Sequence, residues 1–163
     1  MIRHARPGDH AAIRIINEAA FGRPDEADLV ERLRADGDAM FELVEEDEGQ
    51  IVGHILYSRL WADSVSLYAA LAPMAVLPDR QRDGVGKRLL TASIETAKDF
   101  GACAIIVLGH PEYYPKFGFT ADAAAKVKSP FSGGPAFMAL ALEDGALEAP
   151  LLIAYPDAFG AAS

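Results

Sequence analysis

A disulfide framework is excluded at the outset. The chain of 163 residues carries one cysteine, Cys103, so no intrachain bridge can form and stability must come from a packed core. Its neighbours Ala102, Ala104 and Ile105 predict a buried, inert thiol. Nothing in the sequence pairs it with the His or Asn that a nucleophilic cysteine needs. Positive charge is also scarce: 15 Lys and Arg stand against 24 Asp and Glu, a formal net charge of −9. A nucleic-acid-binding surface is not expected on such a chain. No apolar run approaches the ~18 residues of a membrane-spanning helix. The opening Met1-Ile2-Arg3-His4 lacks a signal-peptide pattern, so a reducing, cytoplasmic setting is the simplest expectation. The histidines, at positions 4, 10, 54 and 110, are scattered without metal-ligand spacing, and no metal is expected. The length fits one domain, 1–163, and a hydrophobic content of 51% is enough for a sizeable core.

What is present is concentrated between Leu71 and Leu90. An apolar strand ending Met74-Ala75-Val76 runs into Leu77-Pro78-Asp79-Arg80, then the loop Gln81-Arg82-Asp83-Gly84-Val85-Gly86, then the amphipathic Lys87-Arg88-Leu89-Leu90. A strand feeding a Gly loop at a helix start is an anion site in waiting. The first helical N–H groups lack partners, the helix dipole favours negative charge there, and glycines let the backbone approach closely. Arg80, Arg82, Lys87 and Arg88 cluster here in an otherwise acidic chain. Two phosphate loops fail. A Walker loop requires Gly at position 81 and Ser or Thr at 88, where Gln81 and Arg88 stand, and a dinucleotide loop requires Gly where Leu89 stands.

The pattern that fits is Gln81-x-x-Gly84-x-Gly86, and with it the chain resembles the GNAT superfamily of acyl-CoA N-acyltransferases. A second match, Tyr114-Pro115-Lys116-Phe117-Gly118-Phe119, strengthens the likeness, which covers roughly residues 2–142. The segment Gly109-His110-Pro111-Glu112-Tyr113-Tyr114 is similar to a bacterial acetyltransferase subgroup. The resemblance implies an α/β (α+β) fold with a mixed, mostly antiparallel sheet, one splayed parallel pair and flanking helices. It also implies acetyl-CoA as cosubstrate, an amine acceptor, and a possible homodimer. In its terms Met74, Ala75 and Val76 meet the pantetheine arm, and N–H groups near Ala75 and Val76 polarise the thioester carbonyl. Gln81, Arg82, Asp83, Gly84, Val85, Gly86 and Lys87 hold the pyrophosphate, and Tyr114 protonates the leaving thiolate. A CoA-binding sensor without catalysis is the alternative on the same fold.

Along the chain, Ile2–Ala5 reads as a first strand and Asp9–Phe21 as a helix capped by Asp9. Asp25 or Asp28 begins a second helix that Gly37 ends. Phe41, Leu43 and Val44 open a strand, the acidic Glu45–Gln50 reads as a solvated hairpin turn, and Ile51–Tyr57 returns. Trp61–Ser64 reads as a loop and Leu67–Val76 as a strand, with Pro73 predicting a bulge. Gly84–Phe100 is the third helix, and Ala104–Leu108 is a strand buried on both faces and parallel to Leu67–Val76. A short helix and turn near Tyr114 leads to a sixth strand. Phe137–Leu142 reads as the last long strand, and residues 143–163 as an extension containing a possible strand at Leu151–Tyr155.

Acyl transfer from a thioester to an amine needs a deprotonated amine, a donor for the developing oxyanion and an acid for the thiolate. No protein nucleophile is required, and no G-x-S-x-G elbow is present. The base stays open at this point. Many relatives in the resembling family place a Glu on the strand before the loop, yet Leu67–Val76 contains no acidic residue. His110 and Glu112 are candidates, His54 and Glu42 weaker ones, and a water chain is equally compatible.

Overall fold

The computed structural model describes residues 1–160. The strands are β1 (Ile2–His4), β2 (Ala39–Asp47), β3 (Gln50–Ala62), β4 (Leu67–Val76), β5 (Ala102–Leu108), β6 (Val127–Lys128), β7 (Phe137–Ala141) and β8 (Leu151–Ala154); helices α1 (His10–Phe21) and α2 (Asp25–Ala35) fall between β1 and β2, and α3 (Val85–Asp99) between β4 and β5. The main sheet runs β1-β2-β3-β4-β5-β7, with β8 on β3 and β6 on β8. Pairs β1·β2, β3·β8 and β5·β7 are antiparallel. The β4·β5 pair is parallel from Leu67↔Ala102 to Leu71↔Val107, and a two-residue parallel pair joins β6 to β8. The crossover through α3 is the connection that a parallel pair requires. Among the described residues no helix is long and apolar enough to cross a membrane.

The chain divides into two compact units, Met1–Tyr57 with Ala72–Glu95, and Ser58–Leu71 with Thr96 onward. In the first, Ile13, Ile16, Val30, Leu33, Val44, Val52, Ile55, Leu89 and Leu90 are essentially inaccessible. Each such aliphatic side chain contributes about 1.5–3 kcal/mol relative to exposure. Gly53 sets how close α3 comes to β3. A Cβ there would lie 2.6 Å from Val85 Cγ1 and 2.8 Å from Leu89 Cδ1, so only a bare Cα admits the first turn of α3. In the second unit, Leu60, Tyr68, Ala70, Cys103, Ile106, Val127, Phe137, Leu151 and Ile153 form one buried cluster. The Cys103 thiol lies 3.3 Å from Glu143 and is pushed up by burial and that carboxylate, so it resists ionisation.

Several expectations need correction. The hairpin turn is Glu48-Gly49, with β2 continuing through Glu45 to Asp47, because Glu45 is 4% exposed and finds a cationic partner. Trp61 and Ala62 belong to β3, where they pair with Ala154 and Ile153. Asp9 stands at the N-cap position of α1 as expected, but its side chain makes no cap hydrogen bond to that helix. It closes the turn Pro7–Asp9 by accepting from Arg6 N–H and is claimed by Arg3 at 2.7 Å. The irregularity in the β4·β5 ladder falls at Leu67/Tyr68, whereas Pro73 lies beyond the last paired residue and follows a cis peptide. The sixth strand expected after the Tyr114 turn is short and comes late: the chain makes an isolated bridge, Thr120↔Ala139, turns through Thr120–Lys126 and then forms β6. The last three residues of the expected extension lie outside the described residues.

Candidate functional site

Ala75 is buried, Met74 and Val76 are half-buried, and β4 ends where Leu77 N–H donates to Val52 O at 3.0 Å. Gln81 then folds back and donates from Nε2 to Val76 O at 3.2 Å, tying the loop to the strand end. Arg82 and Gly84 both take left-handed backbone, φ +74° and +83°. The second suits Gly, since an L side chain there costs about 1–2 kcal/mol. Val85 faces inward and begins α3. The first amide of this helix to bond is Arg88 N–H, to Gly84 O at 3.0 Å. Among the described residues, the N–H groups of Gly84, Val85, Gly86 and Lys87 therefore have no acceptor.

The four cations of this stretch separate into two kinds. Arg80 bridges Asp47 at 2.9 Å and Asp83 at 3.2 Å, and Arg88 grips the buried Glu45. Among the described residues Arg82 and Lys87 are in no ion pair, and both are exposed. The net positive charge available at the loop thus comes from two side chains, aided by unpaired amides and the helix dipole. That donor set suits a diphosphate.

Tyr114 opens the 3-10 turn Tyr114–Phe117. The N–H groups of Tyr113 and Tyr114 both donate to His110 O, at 3.1 and 3.3 Å. The Tyr114 ring meets Tyr113 and Phe119 edge-on at 5.2 and 5.8 Å. Gly109 is its seat, for a Cβ there would lie 2.4 Å from Tyr114 Cε2. Burial pushes the phenol up to about 12, with a smaller push from Tyr113. The His110 side chain is exposed, while its carbonyl holds the turn.

The weaker base candidates come together in an unforeseen way. His54 is fully buried, with Nε2 2.8 Å from Glu42 Oε1, and Arg34 holds both Glu42 oxygens at 2.8 Å. Asn17 Nδ2 donates to Ile13 O at 3.0 Å and faces His54 Nδ1 at 3.2 Å. That amide makes Nδ1 the acceptor, so Nε2 carries the proton and donates to Glu42. Burial lowers His54, and the ring is neutral. Burial would lift Glu42, but His54 and Arg34 outweigh it and hold the carboxyl at about 2. Neither group is a free base: one has both nitrogens engaged, the other is too acidic. Glu45 and Gly109 were missed as well, the first hidden in an acidic run and the second visible only as a glycine before the Tyr114 turn.

The model of the Acetyltransferase (GNAT) family matches residues 10–119. The uncharacterized N-acetyltransferase YjhQ of Escherichia coli K12 is 41% identical over 124 residues, 72% of this chain and 68% of that protein. The uncharacterized N-acetyltransferase YhbS of Escherichia coli K12 is 31% identical over 150 residues, 90% of each. The crystal structure of Escherichia coli YhbS in complex with CoA superposes with a TM-score of 0.90 at 30% identity, covering 98% of this chain and 91% of that one. A GNAT family acetyltransferase from Brucella melitensis in complex with acetyl-CoA gives 0.78 at 31% identity, covering 98% and 97%. With two thirds of the chain inside the family model and relatives of this identity along most of its length, the chain belongs to the GNAT family of acetyltransferases.

Proposed function

We propose that this protein takes the acetyl group of acetyl-CoA and passes it directly to the amine of an acceptor, with no covalent enzyme intermediate. The observation that carries the reading is the row of N–H groups from Gly84 to Lys87 that have no acceptor among the described residues, beside Arg82 and Lys87, which are in no ion pair among them. These groups bind the diphosphate, and Gln81 fixes the loop to the strand end. Relatives that carry CoA or acetyl-CoA in their structures support the choice of ligand. Acetyl-CoA supplies the activated thioester. Backbone at Ala75 and Val76 polarises its carbonyl, and Met74 lies along the pantetheine arm. Tyr114 keeps its proton throughout the neutral range and delivers it to the departing sulfur. His110, exposed and without a side-chain partner among the described residues, takes the amine proton directly or through water.

Thermal melting with and without acetyl-CoA tests the binding step. At ~100 times its dissociation constant a ligand adds about 2.7 kcal/mol to folding, a rise of several degrees. No rise would remove the reading, and a rise that persists in Gly84→Val would move the ligand to another site. The sensor alternative has one observation in its favour, the absence of a carboxylate on β4. Release of CoA in excess over enzyme with a panel of amines separates the two, since a sensor shows binding without turnover.

A further inference from the structure

We propose that Glu45 and Arg88 form a brace that aims the Gly84 N–H outward, so that both set CoA affinity without touching CoA. The inference rests on the diphosphate reading above. Glu45 sits in β2 with 4% of its surface exposed, between half-buried Glu46 and inaccessible Val44. A buried carboxylate needs a partner. Arg88 provides one bidentately, Nε to Oε1 at 2.9 Å and Nη2 to Oε2 at 2.6 Å. The remaining arm of the same guanidinium, Nη1, donates to Asp83 O at 3.1 Å. One planar, rigid group therefore joins β2 to the loop.

The consequence follows from peptide geometry. The Asp83–Gly84 bond is not among the cis peptides of the chain. In a trans peptide the C=O and N–H point in opposite directions. With Asp83 O held against Arg88, Gly84 N–H must point away from it, where it has no acceptor among the described residues. The fit on the braced side is close: a Cβ on Gly84 would sit 3.0 Å from Arg88 Nη1. Arg88 itself is spent on Glu45, so its role is to orient rather than to neutralise phosphate. Lysine could not replace it, because an ammonium lacks the fork that reaches both Glu45 and Asp83.

The test compares CoA with S-acetylpantetheine, which lacks the diphosphate. Arg88→Met alone would strand a buried charge, so the probe is the double variant Glu45→Gln/Arg88→Met, in which the charge and its partner leave together. Dissociation constants for both ligands are measured by calorimetry or NMR titration, with the melting temperature of each variant alongside. The expected result is a loss of about tenfold in the preference for CoA over S-acetylpantetheine, the order expected when one charge-assisted hydrogen bond is misaimed. Arg88→Lys should lose the same preference despite keeping the charge. A lower melting temperature with an unchanged preference, or an Arg88→Lys variant that behaves as the parent, overturns the brace. A parent protein with no affinity for CoA overturns the diphosphate reading and the brace together, so the two failures are distinguishable.

Discussion

The loop at Gln81–Lys87 and the turn at Tyr114–Phe117 are held in opposite ways. The loop is fixed by charge and hydrogen bonds: Arg80 to Asp47 and Asp83, Arg88 to Glu45, Gln81 to Val76 O. Its amides from Gly84 to Lys87 have no acceptor among the described residues. The Tyr114 turn is fixed by shape: two edge-on aromatic contacts, a glycine seat, and a pair of amides on one carbonyl. In the proposed function the first region receives an anion, which needs unpaired donors. In the same proposal the second keeps a phenol protonated, and its burial raises that phenol to about 12. Changes at the Tyr114 turn should therefore appear in turnover, and changes at the loop in CoA affinity.

The largest effect expected is from Tyr114→Phe. General-acid catalysis contributes about 10²–10⁴-fold, so kcat should fall within that range while the dissociation constant for CoA stays within twofold of the parent. A parallel loss of CoA binding would mean that the two regions are not separable in this way. Because burial raises the phenol to about 12, no alkaline loss of kcat from this group is expected until well above its ordinary pKa of ~10. An alkaline limb near 9 that disappears in Tyr114→Phe would contradict that environment.

Gly109→Ala comes next and sharpens the contrast, since it tests shape without removing chemistry. The new methyl would overlap the Tyr114 ring, and overpacking of this kind costs about 1–3 kcal/mol. The variant should melt lower and turn over more slowly, yet retain CoA affinity measured by titration. Gly53→Ala is its counterpart in the other unit, for it presses on Val85 and Leu89 at the start of α3 and should weaken CoA binding by a similar overpacking effect.

These particular residues show where the sequence was readable. Strand β4 matched its expected bounds, and α3 fell within one residue at each end. The first is a continuous apolar run followed by Pro78 and the second has helical periodicity closed by Gly101, signals that lie in adjacent residues. The Gln81-x-x-Gly84-x-Gly86 loop was equally local. Glu45 was not readable, because it sits in a run of acids that looks solvated and its partner is 43 positions away. Arg80 and Arg88 looked like anion ligands for the same reason. The Asn17–His54–Glu42–Arg34 network draws on α1, β3, β2 and α2, and no single segment signals it. What escaped was pairing between distant carboxylates, amides and rings, which composition and period cannot register.

That buried network gives a smaller, pH-dependent effect. His54 is lowered by burial, so the unfolded chain takes up its proton first as pH falls. The sign is a loss of stability from about pH 6.5 downward, the ordinary His value. A second loss follows as pH falls from about 4.5 toward 2, because Glu42 and Asp9 are both held at about 2. Denaturant melts between pH 7 and 5 should slope in the parent and flatten in His54→Gln. An unchanged slope would place the titration elsewhere.

The smallest effect is reserved for Lys87→Ala, and it completes the contrast inside the loop itself. Lys87 is exposed and lies in no ion pair among the described residues. Its contribution to a bound diphosphate is a screened, solvent-facing attraction, which for exposed pairs is commonly about 0.2–1 kcal/mol. The loss in CoA affinity should be only a few-fold at low salt, and should shrink as ionic strength shortens the Debye length to about 3 Å at 1 M. The brace variant Glu45→Gln/Arg88→Met should behave differently, since misdirection of the Gly84 N–H is a matter of geometry and persists in salt. Measured side by side at low and high ionic strength, Lys87→Ala should converge on the parent and the brace variant should not. If both converge, the loop binds through its net charge alone, and the outward aim of its backbone counts for little.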